Sequence, residues 1–323
     1  GDAVKALRVG IVAVLARSGE EQAMAYLRSA WDMDPEHRQT LAMGLAQSPD
    51  GENWDYLINS LPIVEGPPAR EVIIKLQQVG FRPEEPEYLR QVILRGLELQ
   101  ENGAEDAATL LQHWTGIQVA SDTSWEESMK AWQDWFAEQY PDHPPAELPT
   151  PAESSKWNFD ELIEHLTSDF GSQGSVAKGE VVFTKAQCAK CHKLGDHGEA
   201  LGPDLTTVSR RFMRKEVLQS ILFPSHVISS QYAAKTIVTT NGLSYTGLVG
   251  AGAGGAKIVL QANGEKVTVQ ADEIDEIVPS PKSAMPDGLL NALTLEEISD
   301  LFAYLGVIPP QSVARGRVED SRN

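Results

Sequence analysis

The chain has 323 residues, 41% of them hydrophobic, with two cysteines and a formal net charge of −19 at pH 7. This length is enough for two or three domains with real cores. The acidity speaks against nucleic-acid binding, which needs a basic footprint, and no apolar run reaches membrane-spanning length. The charge is unevenly spread. Residues 1–172 hold 30 acidic against 12 basic side chains, a net of −18, whereas residues 173–310 hold 14 against 12, a net of −2.

Residues 1–140 read as helices. Val4–Ala16, Glu20–Trp31, Pro35–Ala46, Asn53–Leu61, Pro68–Val79, Glu85–Leu99, Ala104–Trp114 and Trp125–Tyr140 carry apolar residues at helical spacing. Pro- and Gly-rich breaks separate them, as in Ser48-Pro49-Asp50-Gly51 and Gly80-Phe81-Arg82-Pro83. Helix pairs recurring every ~30–45 residues predict an α-solenoid of the HEAT or armadillo kind, with an irregular bundle as the alternative. Trp125, Trp132, Trp135 and Phe136 are read as core, because large aromatics dominate packing. A Pro-rich stretch with Pro144, Pro145, Pro149 and Pro151 opens a linker over 141–175, which also holds a short helix over Phe159–Asp169.

Both cysteines fall in Cys188-Ala189-Lys190-Cys191-His192. A C-x-x-C pair alone also suits a thioredoxin-like redox pair, half a zinc site or a disulfide. A zinc site wants four ligands, and there is no second cysteine pair. The redox reading wants a βαβ setting, but a Gly- and His-rich loop follows Cys191. With the adjacent histidine, the spacing is that of c-type haem attachment. Each thiol forms a thioether to a haem vinyl group, and His192 becomes the proximal iron ligand. A Cys188–Cys191 disulfide remains the alternative.

Around this motif, Val176–Phe183 is predicted helical, with Gly179 permitting a close helix contact and Phe183 packing near the macrocycle. Arg214–Leu222 is the next helix. Leu295–Leu305 closes the region behind a Thr294–Glu297 capping box, with Phe302 and Tyr304 set to cross the first helix. Met285, in Ser283-Ala284-Met285-Pro286, is the preferred sixth ligand and Met213 the other downstream methionine. A thioether ligand raises the reduction potential. His197 and His226 compete for that position and are read as structural. Between Pro224 and Pro281, Ala233–Thr240, Ser244–Val249, Lys257–Gln261, Glu265–Gln270 and Glu276–Val278 are strand-like. Asn241-Gly242 and Asn263-Gly264 are hairpin signals. Ala251–Gly255 is a connector, not a nucleotide fingerprint.

The ordered motifs resemble the haem-binding domain of the Pirellula/Verrucomicrobium type, a cytochrome c family of planctomycetes and verrucomicrobia. They are the haem pentapeptide, Leu201–Leu205, Leu218–Pro224, Thr246–Leu248, Met285-Pro286 and Asp300–Leu305, together spanning about residues 173–308. The resemblance implies a mainly α chain. A HEAT-like domain covers 1–140, a linker 141–175, a class I-like cytochrome c domain 176–308 with an inserted antiparallel β-subdomain at 224–281, and a tail 309–323. It implies one covalent haem c, held by Cys188, Cys191, His192 and Met285. Phe183 and Leu205 would line it, and the Pro203 carbonyl would orient His192. The expected function is electron transfer from a dehydrogenase domain or partner to a periplasmic acceptor, with no catalytic residue in this chain. A haem enzyme or gas or redox sensor with a displaceable sixth ligand is the alternative. Such domains often end long polypeptides that begin with a β-propeller. The chain starts at Gly1 with neither an initiator methionine nor an export signal, so it is expected to be the C-terminal part of a longer, exported protein.

Overall fold

The computed structural model describes residues 2–119, 123–150, 155–226 and 232–309. Pro151 of the linker and the tail beyond residue 309 lie outside the described residues. The fold is mainly helical with one small sheet and divides into two compact units. The first takes the described residues of Gly1–Thr150, Ser225–Val259 and Val267–Ala284. The second takes those of Pro151–Pro224, Leu260–Lys266 and Met285–Asn323.

The first unit begins with eight helices: α1 (Asp2–Ser18), α2 (Glu21–Met33), α3 (Arg38–Leu45), α4 (Asn53–Ser60), α5 (Gly66–Gln77), α6 (Pro86–Leu99), α7 (Ala104–Thr115) and α8 (Trp125–Gln139). Local chemistry sets their ends. Pro86 opens α6 where no amide hydrogen is required. Ser124 and Glu127 form a reciprocal capping box on α8. Helices pack on their neighbours one and two places along the chain, as in α1 on α2 and α3, or α6 on α7 and α8. Their apolar faces share one core, in which Leu27, Leu57, Val72, Ile93, Leu110 and Phe136 are fully buried. Trp132 lies in that core beside Trp135, ring centroids 5.3 Å apart and edge-on.

The sheet follows, in the order β4-β3-β2-β1-β5. Its strands are β1 (Ala233–Thr239), β2 (Ser244–Ala251), β3 (Lys257–Leu260), β4 (Lys266–Val269) and β5 (Ile274–Ser283). β1 pairs antiparallel with both β2 and β5. β5 runs well past the expected Glu276–Val278, through Pro279. A proline is tolerated there because, among the described residues, β5 is an edge strand with no further strand asking for its amide.

His226, just ahead of the sheet, belongs to this unit. Arg90, almost wholly buried on α6, donates from Nη2 to His226 Nδ1 at 3.2 Å and from Nε to the Pro145 carbonyl at 3.0 Å. The imidazole is therefore neutral, with its proton on Nε2. Burial first, then the charges of Arg90 and Arg95, push its pKa down to about 4.

The second unit contains α9 (Phe159–Thr167), α10 (Val176–Lys185), the short α11 (Val208–Arg211), α12 (Arg214–Leu222) and α13 (Leu295–Tyr304). Its organising contact is α10 across α13. Gly179 makes it possible: a methyl there would lie well inside contact distance of the Asp300 carbonyl oxygen and 2.6 Å from Tyr304 Cβ. Ser175 Nα donates to the buried Asp300 carboxylate at 2.6 Å, which locks the start of α10 onto α13. α13 itself starts on the expected Thr294–Glu297 capping box. Phe183, Leu301 and Phe302 are fully buried at the crossing. Among the described residues no helix is long and apolar enough to cross a membrane.

The His226 geometry carries a pH prediction. Its folded pKa of about 4 lies below the ordinary imidazole value of about 6.5. As pH falls from 6.5 towards 4, the unfolded chain therefore takes up a proton that the native state refuses. Stability is lost over that window and levels off below it, by up to about 3 kcal/mol. Urea denaturation across this range should show a steeper loss for the native sequence than for His226→Asn, which keeps an acceptor for Arg90 but does not titrate. Equal slopes would contradict the assignment.

Candidate haem site

The site is built on the turn that leaves α10. After Lys185 the backbone passes Ala186 and then Gln187, whose φ of 65° is left-handed. That reversal starts a tight turn over Cys188–Lys190, with Cys191 Nα donating to the Cys188 carbonyl at 3.2 Å and His192 Nα to the same oxygen at 2.9 Å. Both thiols and the imidazole thus project from a single turn of chain. The cysteines are not joined in a disulfide, and both are half-buried. Burial pushes the Cys188 thiol up to about 11. It also raises Cys191, with the charge of Lys190 acting in the opposite direction.

His192 is held from behind. Its Nδ1 lies 2.9 Å from the Pro203 carbonyl oxygen. A carbonyl can only accept, so Nδ1 carries the proton and Nε2 bears the lone pair. Burial lowers the imidazole pKa, with the Pro203 bond pulling the other way, so the neutral, ligating form is the stable one.

The loop after His192 folds back onto the motif to deliver Pro203. Glu199 Nα donates to the Ala189 carbonyl at 3.0 Å, Leu201 and Gly202 donate to the Cys191 carbonyl at 3.0 and 2.7 Å, and Leu205 donates to Lys193 at 2.8 Å. Gly198 permits the return. Its φ is +90°, and a methyl there would collide with the His192 carbonyl oxygen and stand 3.2 Å from that of Ala189. Gly202 lies against the imidazole face, where a methyl would sit 3.1 Å from Cε1.

The remaining expected site residues take distinct places. Phe183 is fully buried at the α10–α13 crossing. Cys188, Ala189, Leu194, Leu205, Ile221 and Leu222 are only partly buried and pack on that same core. Met285 belongs to the motif's unit and is half-buried on the loop before α13. Trp157 Nε1, donating to the Leu290 carbonyl at 2.9 Å, and Lys156 Nζ, donating to Leu293 at 3.1 Å, tie that loop down.

His197 has both ring nitrogens engaged, Nδ1 with Tyr304 Oη and Nε2 with Thr184 Oγ1, each at 3.1 Å. Its ring stands edge-on to Phe183 at 5.6 Å, so it fastens the loop to both helices. Sequence reading assigned no role to Gly198, Gly202 or Gln187. The signals were the Gly- and His-rich character of the loop and, for Gly202, its place in the Leu201–Leu205 motif; nothing in the sequence marked Gln187.

This donor set fits a covalently held haem. Two unpaired thiols on one turn, an imidazole with a fixed tautomer, and part-exposed aliphatic side chains match a flat apolar group with an iron at its centre. The comparisons agree. A family model for cytochrome c matches residues 176–234, from the first residue of α10 into β1 and across Cys188, Cys191, His192 and Pro203. No curated protein matches the chain. The matched segment supports a haem-binding cytochrome c domain, with haem c as the group bound and electron transfer as the general function.

Gly198→Ala tests the loop. The methyl meets a main-chain carbonyl and the backbone is left-handed, so stability should drop by about 2–4 kcal/mol. Urea denaturation followed by near-ultraviolet circular dichroism measures this, and an unchanged midpoint would contradict the described return of the loop.

Proposed function

We propose that this chain is an electron-transfer module carrying one c-type haem. Thioether bonds from Cys188 and Cys191 hold the group, and His192 Nε2 and Met285 Sδ ligate its iron. The observation that carries the reading is the His192–Pro203 hydrogen bond. It presents a lone pair on Nε2 beside two unpaired thiols on the same turn. When bound, the haem supplies a one-electron couple.

The protein's part is to fix the couple's geometry and potential. Pro203 holds the imidazole plane and, by accepting from Nδ1, makes Nε2 more basic. Phe183 backs the site from the core, and Leu205 with its aliphatic neighbours keeps water from the macrocycle. Met285 raises the potential relative to a second imidazole. His197 and His226 serve other partners, Tyr304 and Thr184 in one case and Arg90 in the other, which favours methionine as the sixth ligand.

The donor in this reading is a dehydrogenase domain or protein, and the acceptor a periplasmic carrier, with the chain exported. The domains are a HEAT-like region at 1–140 and a haem region at 176–308 with its insert at 224–281. Helices packed on neighbours one and two places along support a repeat-like array, the kind of surface that seats another domain.

A redox titration followed optically, on the full chain and on Met285→Ala, tests the ligand set. Met285→Ala should lower the midpoint potential and change the spectrum from six-coordinate low-spin. A variant with the native spectrum and potential removes Met285 as ligand.

A further inference from the structure

Nothing in the proposed electron transfer needs the inserted sheet, yet residues 260–266 of the insert group with the haem-motif unit. They form the turn between β3 and β4, which is closed three times. Gln261 Nα donates to the Glu265 carbonyl, Gly264 Nα to the Gln261 carbonyl and Glu265 Nα to Asn263 Oδ1, each at 2.9 Å.

This turn lies along the side chain of Lys190, the residue immediately before Cys191. A methyl on Gly264 would stand 3.2 Å from Lys190 Cδ, 3.9 Å from Nζ and 4.0 Å from Cβ, so the Lys190 side chain occupies the space beside this glycine where a side chain would otherwise go. At its far end Lys190 Nζ donates to Gln187 Oε1 at 2.9 Å. Gln187 is the left-handed residue that starts the attachment turn. The hydrogen-bonded turn of the insert thus meets Lys190, and Lys190 in turn meets Gln187, at the start of the segment bearing both thiols.

We infer that the Asn263–Gly264 turn braces the haem-attachment turn, holding Lys190 against Gln187 and so keeping residues 187–192 closed. The attachment turn is already held at the Ala189 and Cys191 carbonyls by the loop after His192, and the contact at Lys190 adds to that. The turn is short, follows a left-handed residue, and its cysteines are half-buried. A contact from outside that lowers the population of the opened turn is a direct way to keep two thioethers and a ligating imidazole in register. Gly264 and Lys190 are then positioning residues. The brace is a property of the chain, and its service to a haem rests on the electron-transfer reading.

The protein contains its own control. Asn241–Gly242 makes the other hairpin turn with the same glycine φ of +84°, but a methyl at Gly242 meets nothing within 4 Å. Gly264→Ala and Gly242→Ala therefore impose the same backbone strain, and only the first disturbs Lys190. The test is amide hydrogen exchange of residues 187–192 in the full chain as purified, for Gly264→Ala, Gly242→Ala, Lys190→Ala and the Gly264→Ala/Lys190→Ala pair.

The brace predicts that exchange at 187–192 quickens about tenfold in Gly264→Ala and in Lys190→Ala, no further in the pair, and not at all in Gly242→Ala. Equal effects of the two glycine variants, additive effects in the pair, or no effect of Lys190→Ala would each overturn it. If Gly264→Ala fails to fold, Lys190→Ala decides alone: unchanged exchange overturns the brace. The haem absorbance of the same samples separates the two ideas. A native chain without haem defeats the electron-transfer reading and leaves the exchange result standing.

Discussion

The hydrogen bond from His192 Nδ1 to the Pro203 carbonyl is the constraint on which the rest of the site depends. It joins residues eleven apart, and a loop must fold back on itself to make it. That return uses the Cys191 carbonyl as a double acceptor, the Ala189 carbonyl as a third anchor, and a left-handed Gly198 to pass beneath His192. Removing the bond would free the imidazole to rotate and to move its proton to Nε2. The motif would keep its residues and lose its chemistry, because a protonated Nε2 cannot ligate.

The turn can hold this geometry because it hangs from a rigid crossing. α10 is pressed so closely onto α13 that Gly179 has no room for a side chain, and the Ser175–Asp300 bond fixes its first turn. The surface pairs Lys178–Glu296 and Lys185–Glu297 join the same two helices. Exposed pairs of that kind are worth little, so the buried contacts carry the crossing. Phe183, Tyr304 and His197 then continue that contact outward, with ring centroids 5.6–6.3 Å apart, to the loop beyond the motif. The core, the attachment turn and the return loop are thus one mechanical path.

Much of this was legible in the sequence where the signal is local. The capping box at Thr294–Glu297, the hairpin turns at Asn241-Gly242 and Asn263-Gly264, and the apolar periodicity of α4 to α8 each depend on residues within a few positions. Their boundaries fall within two residues of expectation. Some features made by distant parts of the chain, such as the close α10–α13 contact at Gly179 and the His192–Pro203 bond, were legible through the motifs and the family resemblance, and others were not. β5 is expected only over Glu276–Val278, and its run on through Pro279 depends on its place at an edge of the sheet, which the strand order shows and the local sequence does not. The four-residue α11 has no period to detect. Gly198 and the meeting of Gly264 with Lys190 depend on a close approach of backbone. A glycine in sequence does not announce which neighbour excludes its side chain.

The central claim is that Cys188, Cys191 and His192 form a haem-attachment turn. It is tested most directly by making the full chain in cells equipped for covalent haem attachment and mapping it by intact-mass and peptide mass spectrometry. The account predicts one haem per chain, on the peptide containing Cys188 and Cys191, lost when both are changed to alanine. A folded chain with no haem, and with both thiols open to alkylation, would contradict it.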